Sequence, residues 1–85
     1  MTREDIYQQL QQIFFDNFEI PKDRITLDAN LYTDLYLDSI DAVDLVIHVQ
    51  DLIGTKIGPD EFKAARTVNE VIDVVATLLT TVKPP

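Results

Sequence analysis

Val68, Val71, Ile72, Val75, Leu78, Leu79 and Val82 recur at i, i+3, i+4, i+7 spacing. That rhythm marks a helix with one apolar stripe, and the stripe has to be covered by the rest of the chain. Thr67-Val68-Asn69-Glu70 stands in front of it as a capping box, in which a side-chain oxygen and an acid three residues on satisfy the helix's first N–H groups. Thr2 with Asp5, and Asp38 with Asp41, have the same spacing ahead of two further helical patterns.

The first pattern places Ile6, Leu10, Ile13, Phe14 and Asn17 on one face, flanked by Tyr7 and Phe18. Its apolar members read as core, and Phe15 points away from them. Pro21 is expected to end this helix, because the residue before a proline avoids the α region. The second runs from about Ser39 to Ile53, with Gly54 as its C-cap. Ala42, Leu45, Val46, Val49, Leu52 and Ile53 form its core face. Gly58-Pro59-Asp60-Glu61 reads as a turn into a short helix ending near Ala65, with Ile57 and Phe62 facing inward. Residues 21 to about 37 lack sustained periodicity. Ile25, Leu27, Leu31 and Leu35 are spaced there as anchors, with room for a short helical turn near Ala29 to Asp34. The expected fold is all-α: one domain over 1–85, a small four-helix bundle of three longer helices and one short one, with a long loop between helices one and two. Pro84 and Pro85 are expected to form a frayed tail.

The net charge of −8 argues against nucleic acid and anionic membrane surfaces as partners and favours partners with basic patches. There is no cysteine, so disulfides and thiolate metal sites are excluded, and any thioester would need a thiol from elsewhere. His48 is the only histidine, and no metal site is expected. It lies nine residues from Ser39 on one helix, about 13 Å along the axis, which rules out a serine–histidine pair there. No phosphate loop or other catalytic constellation is present. The charged start and short apolar runs carry no secretory or membrane-spanning signal, so a cytoplasmic protein is expected, and a small acidic chain of this kind is expected to be a monomer.

The candidate site is Asp34-Leu35-Tyr36-Leu37-Asp38-Ser39-Ile40-Asp41-Ala42-Val43-Asp44-Leu45. Ser39 falls at the first helical position, between the N-cap Asp38 and Asp41. A phosphate ester on its hydroxyl would sit where helix N-termini accept anions. On these residues alone, membership of a capping sequence is enough to account for Ser39. Opposite the core face, Ile40, Val43 and Ile47 gather with Asp44 and Asp51, and Asp41 and His48 lie at the edge. Between Asp28 and Asp51 there are six acidic residues and no lysine or arginine. The residues alone leave two readings open, a solvated acidic surface or a docking face with aliphatic anchors.

Asp38-Ser39-Ile40-Asp41, preceded by Asp34-Leu35 and followed by an acidic-apolar helix, resembles the attachment motif of acyl carrier proteins. The resemblance covers nearly the whole chain and its order of helices. It implies that Ser39 carries 4′-phosphopantetheine through a phosphodiester, with Asp38 orienting it. It implies that Asp38, Ile40, Asp41, Val43, Asp44, Ile47 and Asp51 dock partner enzymes. Those partners would be a phosphopantetheinyl transferase and acyl-transferring, condensing and reducing enzymes of fatty acid, polyketide or related lipid synthesis. The aliphatic lining of Leu45, Val46, Val49, Ile72, Val75 and Leu79 would either part for an acyl chain or stay a packed core. Tyr36 stands where the family often has glycine, which bears either on backbone geometry or on contact with the arm or a partner. His48, Gln50 and Leu52 also depart from the family pattern and point to a specialised choice of partners. A carrier of aminoacyl or aryl groups on the same fold, and a helical interaction module that never carries an arm, are the alternatives.

Overall fold

A computed structural model of the protein describes residues 2–57, 62 and 64–81. It is all-helical: α1 spans Arg3–Phe18, α2 Ser39–Ile53 and α3 Val68–Thr81. Among the described residues the only extended pairing is an isolated bridge between Asn30 and Thr67. No helix among them is long and apolar enough to cross a membrane.

Each helix starts at a reciprocal capping pair, which satisfies the N–H of the cap and that of the third helical residue. Thr2 Oγ1 accepts from the Asp5 N–H at 3.1 Å while Asp5 accepts from the Thr2 N–H at 3.0 Å. The Thr67 hydroxyl and Glu70 repeat the exchange at 3.2 and 3.1 Å. These bonds fix the helix phases, and the apolar stripes then meet. Ile6, Leu10 and Phe14 of α1, Leu45 and Val49 of α2, and Val68, Val71, Ile72 and Val75 of α3 form one buried cluster, with Val46, Ile53, Leu78 and Leu79 half-buried at its margin. Burying each large aliphatic side chain contributes about 1.5–3 kcal/mol against the entropy of ordering the chain.

α1 does not run on to Pro21. It stops at Phe18 because Glu19 turns left-handed at φ 57°, and the Ile20 N–H then reaches back to the Phe14 carbonyl at 3.2 Å. This early stop buries Ile20 and leaves Pro21 to open a single 3₁₀ turn, Lys22–Arg24. Phe15 is half-exposed, with the Lys22 ammonium 5.6 Å from its ring centre.

The long loop is fastened by its backbone as well as its side chains. Ile25, Ala29, Leu31, Leu35 and Leu37 are buried, but Leu27 is exposed and is not the anchor its spacing suggests. Its carbonyl does the fastening instead, accepting the Asn69 N–H at 3.0 Å. The Ala29 carbonyl accepts from Val68 at 3.0 Å, and the Leu31 N–H donates to Arg66 at 2.7 Å. From the other side Tyr7 donates its hydroxyl to the Ile25 carbonyl at 2.6 Å. Residues 31–34 form a turn, not a helix, held by Asn30 and Asp34: the Asp34 carboxylate accepts the Asn30 N–H at 2.7 Å, and the Asn30 amide oxygen accepts from Tyr32 and Thr33.

Gly54 caps α2 at φ 68°, as its position implies. Ile57, Phe62 and Ala65 are buried, and Phe62 is helical. Ala64 lies in a turn, and residues 59–61 and 63 of the expected short helix, together with Val82, Pro84 and Pro85, lie outside the described residues.

Candidate functional site at the head of α2

Ser39 is the first residue of α2 and is exposed. The two aspartates that flank it are occupied with the backbone. Asp38 Oδ1 accepts the Asp41 N–H at 2.8 Å, and Asp41 Oδ2 accepts the Asp38 N–H at 3.3 Å. A capping box thus holds the turn on which the serine stands, and puts two carboxylates at the helix end that favours negative charge. None of the described residues hydrogen-bonds the Ser39 hydroxyl, and the N–H groups of Ser39 and Ile40 have no acceptor there. A free hydroxyl beside two unsatisfied N–H groups at a helix N-terminus is a place where a phosphate ester fits, since such ends favour anions.

Behind Ser39 the outer face of α2 carries Ile40, Val43 and Ile47, which are 77%, 62% and 49% exposed. Asp44 and Asp51 are exposed beside them and Asp41 is half-buried. Leu45 and Val49 face the core and Val46 and Ile53 pack against it, as the periodicity predicts, whereas Ala42 and Leu52, also expected on that face, are half-buried outside the cluster. The aliphatic anchors and the carboxylates share one continuous surface that begins at Ser39.

Tyr36 is 74% exposed and adopts φ 60°. This backbone conformation strains a bulky residue and is free for glycine. His48 is half-buried at the edge of the face. It approaches Asp44 at 3.7 Å and meets the Phe18 ring of α1 edge-on, with centroids 6.2 Å apart. The i, i+4 spacing of Asp44 and His48 carries the first contact in the sequence, but nothing local signals the second. The Gln50 amide oxygen accepts the Ile57 N–H at 2.8 Å and ties the connector after α2 back onto the helix. Leu52 is half-buried and is not among the residues packed against the core cluster.

The fold and site define a small helical domain that displays one serine hydroxyl at the head of an acidic helix. A family model described as the phosphopantetheine attachment site matches residues 8–75. Acyl carrier protein 2 of Ralstonia nicotianae is 48% identical over 79 residues, covering 93% of this chain and 98% of that protein. Acyl carrier protein of Coprothermobacter proteolyticus is 35% identical over 81 residues, covering 95% and 99%. A solved structure of acyl carrier protein from Enterococcus faecalis superposes with a TM-score of 0.74 at 31% identity, over 91% of this chain and 98% of that one. The chain belongs to the acyl carrier protein family, whose members hold 4′-phosphopantetheine. It is a carrier and not an enzyme, serving biosynthetic enzymes after a phosphopantetheinyl transferase has modified it.

Proposed function

We propose that Ser39 is the residue that carries the 4′-phosphopantetheine arm, and that the exposed face of α2 brings the arm's cargo to successive enzymes. The observation that carries this reading is the open head of α2, where an exposed hydroxyl and two unpaired N–H groups stand between two capping carboxylates. Asp38 and Asp41 hold the turn and so present Oγ of Ser39 outward. The arm supplies the thiol that this cysteine-free chain lacks, on which an acyl group is carried as a thioester.

Asp38, Ile40, Asp41, Val43, Asp44, Ile47 and Asp51 form the docking face, with the aliphatics as small anchors and the acids meeting basic patches. Contacts of this mainly electrostatic kind form quickly and release easily, which a carrier visiting several enzymes requires. Tethering then raises the effective concentration of cargo at each docked enzyme. The cargo is an acyl chain of fatty acid, polyketide or related lipid synthesis. The working form is a single domain over 1–85, a cytoplasmic monomer in which the segment around Phe62 completes a four-helix bundle as a short helix.

Incubation with coenzyme A and a broad-specificity phosphopantetheinyl transferase tests this by intact-protein mass. The parent gains one phosphopantetheine and Ser39→Ala gains none. A gain in Ser39→Ala contradicts the assignment.

A further inference from the structure

Three described residues have a positive φ: Glu19, Tyr36 and Gly54. Glu19 and Gly54 are helix C-caps, where a left-handed residue terminates the helix. Tyr36 terminates nothing. Its neighbours Leu35 and Leu37 are buried, and their N–H groups are bonded to the carbonyls of Asn30 and Leu31 at 3.0 and 2.9 Å. The backbone on both sides is therefore pinned, and the ring is held outward. The fold makes little use of that ring, which is 74% exposed and whose hydroxyl bonds to none of the described residues. A glycine would satisfy the same backbone without strain.

The position of the ring indicates what it meets. Tyr36 precedes Ser39 by three residues, a span of at most about 11 Å. An enzyme that reaches the Ser39 hydroxyl with a macromolecular surface covers Tyr36 as well. Tyr36 borders two grooves. Asp16, Glu19 and Asp41 line one, and Asp23, Asp28 and Asp34 line the other together with Arg24. An aromatic face among carboxylates suits a cation, which the ring attracts through its quadrupole and the acids through their charge.

We propose that Tyr36 is a specificity-determining contact for the enzyme that modifies Ser39, its ring receiving an arginine or lysine side chain of that enzyme. This rests on Ser39 as the attachment residue. The role is one of binding: it strengthens the encounter and leaves the chemistry at Oγ alone, so its loss raises KM and spares kcat.

The test is steady-state transfer from coenzyme A to the parent and to Tyr36→Phe, Tyr36→Leu and Tyr36→Gly, with thermal unfolding of each. Tyr36→Leu keeps the bulk and the backbone strain but loses the π face. It is expected to raise KM about two- to fivefold at unchanged kcat and nearly parental Tm. Tyr36→Gly raises KM as much, while its Tm rises by about 3 °C as the strain is relieved. Tyr36→Phe keeps the parental KM. Unchanged KM in Tyr36→Leu and Tyr36→Gly overturns the proposal, and so does an equal rise in Tyr36→Phe. A parent that is not modified at all overturns the assignment of Ser39 with it, whereas a modified parent with insensitive variants removes only the role of Tyr36.

Discussion

α2 and α3 begin with the same hydrogen-bond exchange and end up with opposite uses for it. In α3 the first helical residue is Val68, fully buried, and the loop carbonyls of Ala29 and Leu27 accept the N–H groups of Val68 and Asn69. In α2 the first helical residue is Ser39, exposed, and the N–H groups of Ser39 and Ile40 are left without an acceptor among the described residues. α1 also opens freely, but puts Arg3 at that position and sends its guanidinium to Asp73 at 2.7 Å and Asn69 at 2.9 Å. A capping box therefore says only where a helix starts. Whether its donors are spent on the fold or remain available for an anion depends on what the rest of the chain lays across it.

The widest separation between the two helix heads comes from truncating their first residues. Ser39→Ala abolishes transfer of the arm and leaves stability within about 0.5 kcal/mol, because an exposed hydroxyl contributes little to folding. Val68→Ala does the reverse: urea unfolding loses about 2 kcal/mol through the cavity it leaves, while the arm is still accepted. Val68→Ala with parental stability would mean that the loop does not seal α3 as described. The caps come next. Asp38→Ala and Thr67→Ala each lower stability by about 1 kcal/mol. Of the two, only Asp38→Ala also slows modification of Ser39, measured by the rate of mass gain under conditions where both variants stay folded. Equal rates in the two would separate the α2 box from the function of its serine.

The smallest effect concerns the third box. Hydrogen bonds from the Thr2 backbone and hydroxyl hold the Asp5 carboxyl below its ordinary value of 3.8. A depressed carboxyl stabilises the fold above its unfolded pKa, and that contribution is lost as pH falls through the lower folded value. The difference in Tm between the parent and Asp5→Asn is thus expected to be present at neutral pH and to close below about pH 3.8. A difference that persists in stronger acid would assign it to packing instead of charge.

Much of this architecture is written locally. Thr2, Asp38, Thr67 and Gly54 mark helix ends by residue type and spacing, and the two faces of α2 separate by period alone. The unforeseen features are those made by residues far apart in the chain or in rare backbone states. Glu19 in a left-handed turn gives no signal, since its side chain has no preference for it. Leu27 is spaced as a side-chain anchor, yet its side chain is exposed and its carbonyl, which no side-chain pattern reports, holds the loop to α3. Gln50 resembles a surface substitution until the Ile57 N–H is found on it. The head of α2 is more legible than the loop because its serine, its capping aspartates and its exposed aliphatic and acidic residues lie within one helix and its cap.

The central claim is that the open head of α2 holds the arm. Proteolysis of the loaded protein, followed by peptide fragmentation in a mass spectrometer, locates the phosphopantetheine directly. The account predicts it on Ser39 alone. Its presence on another hydroxyl, such as Thr33 in the preceding turn or Thr67 at the head of α3, would contradict the account.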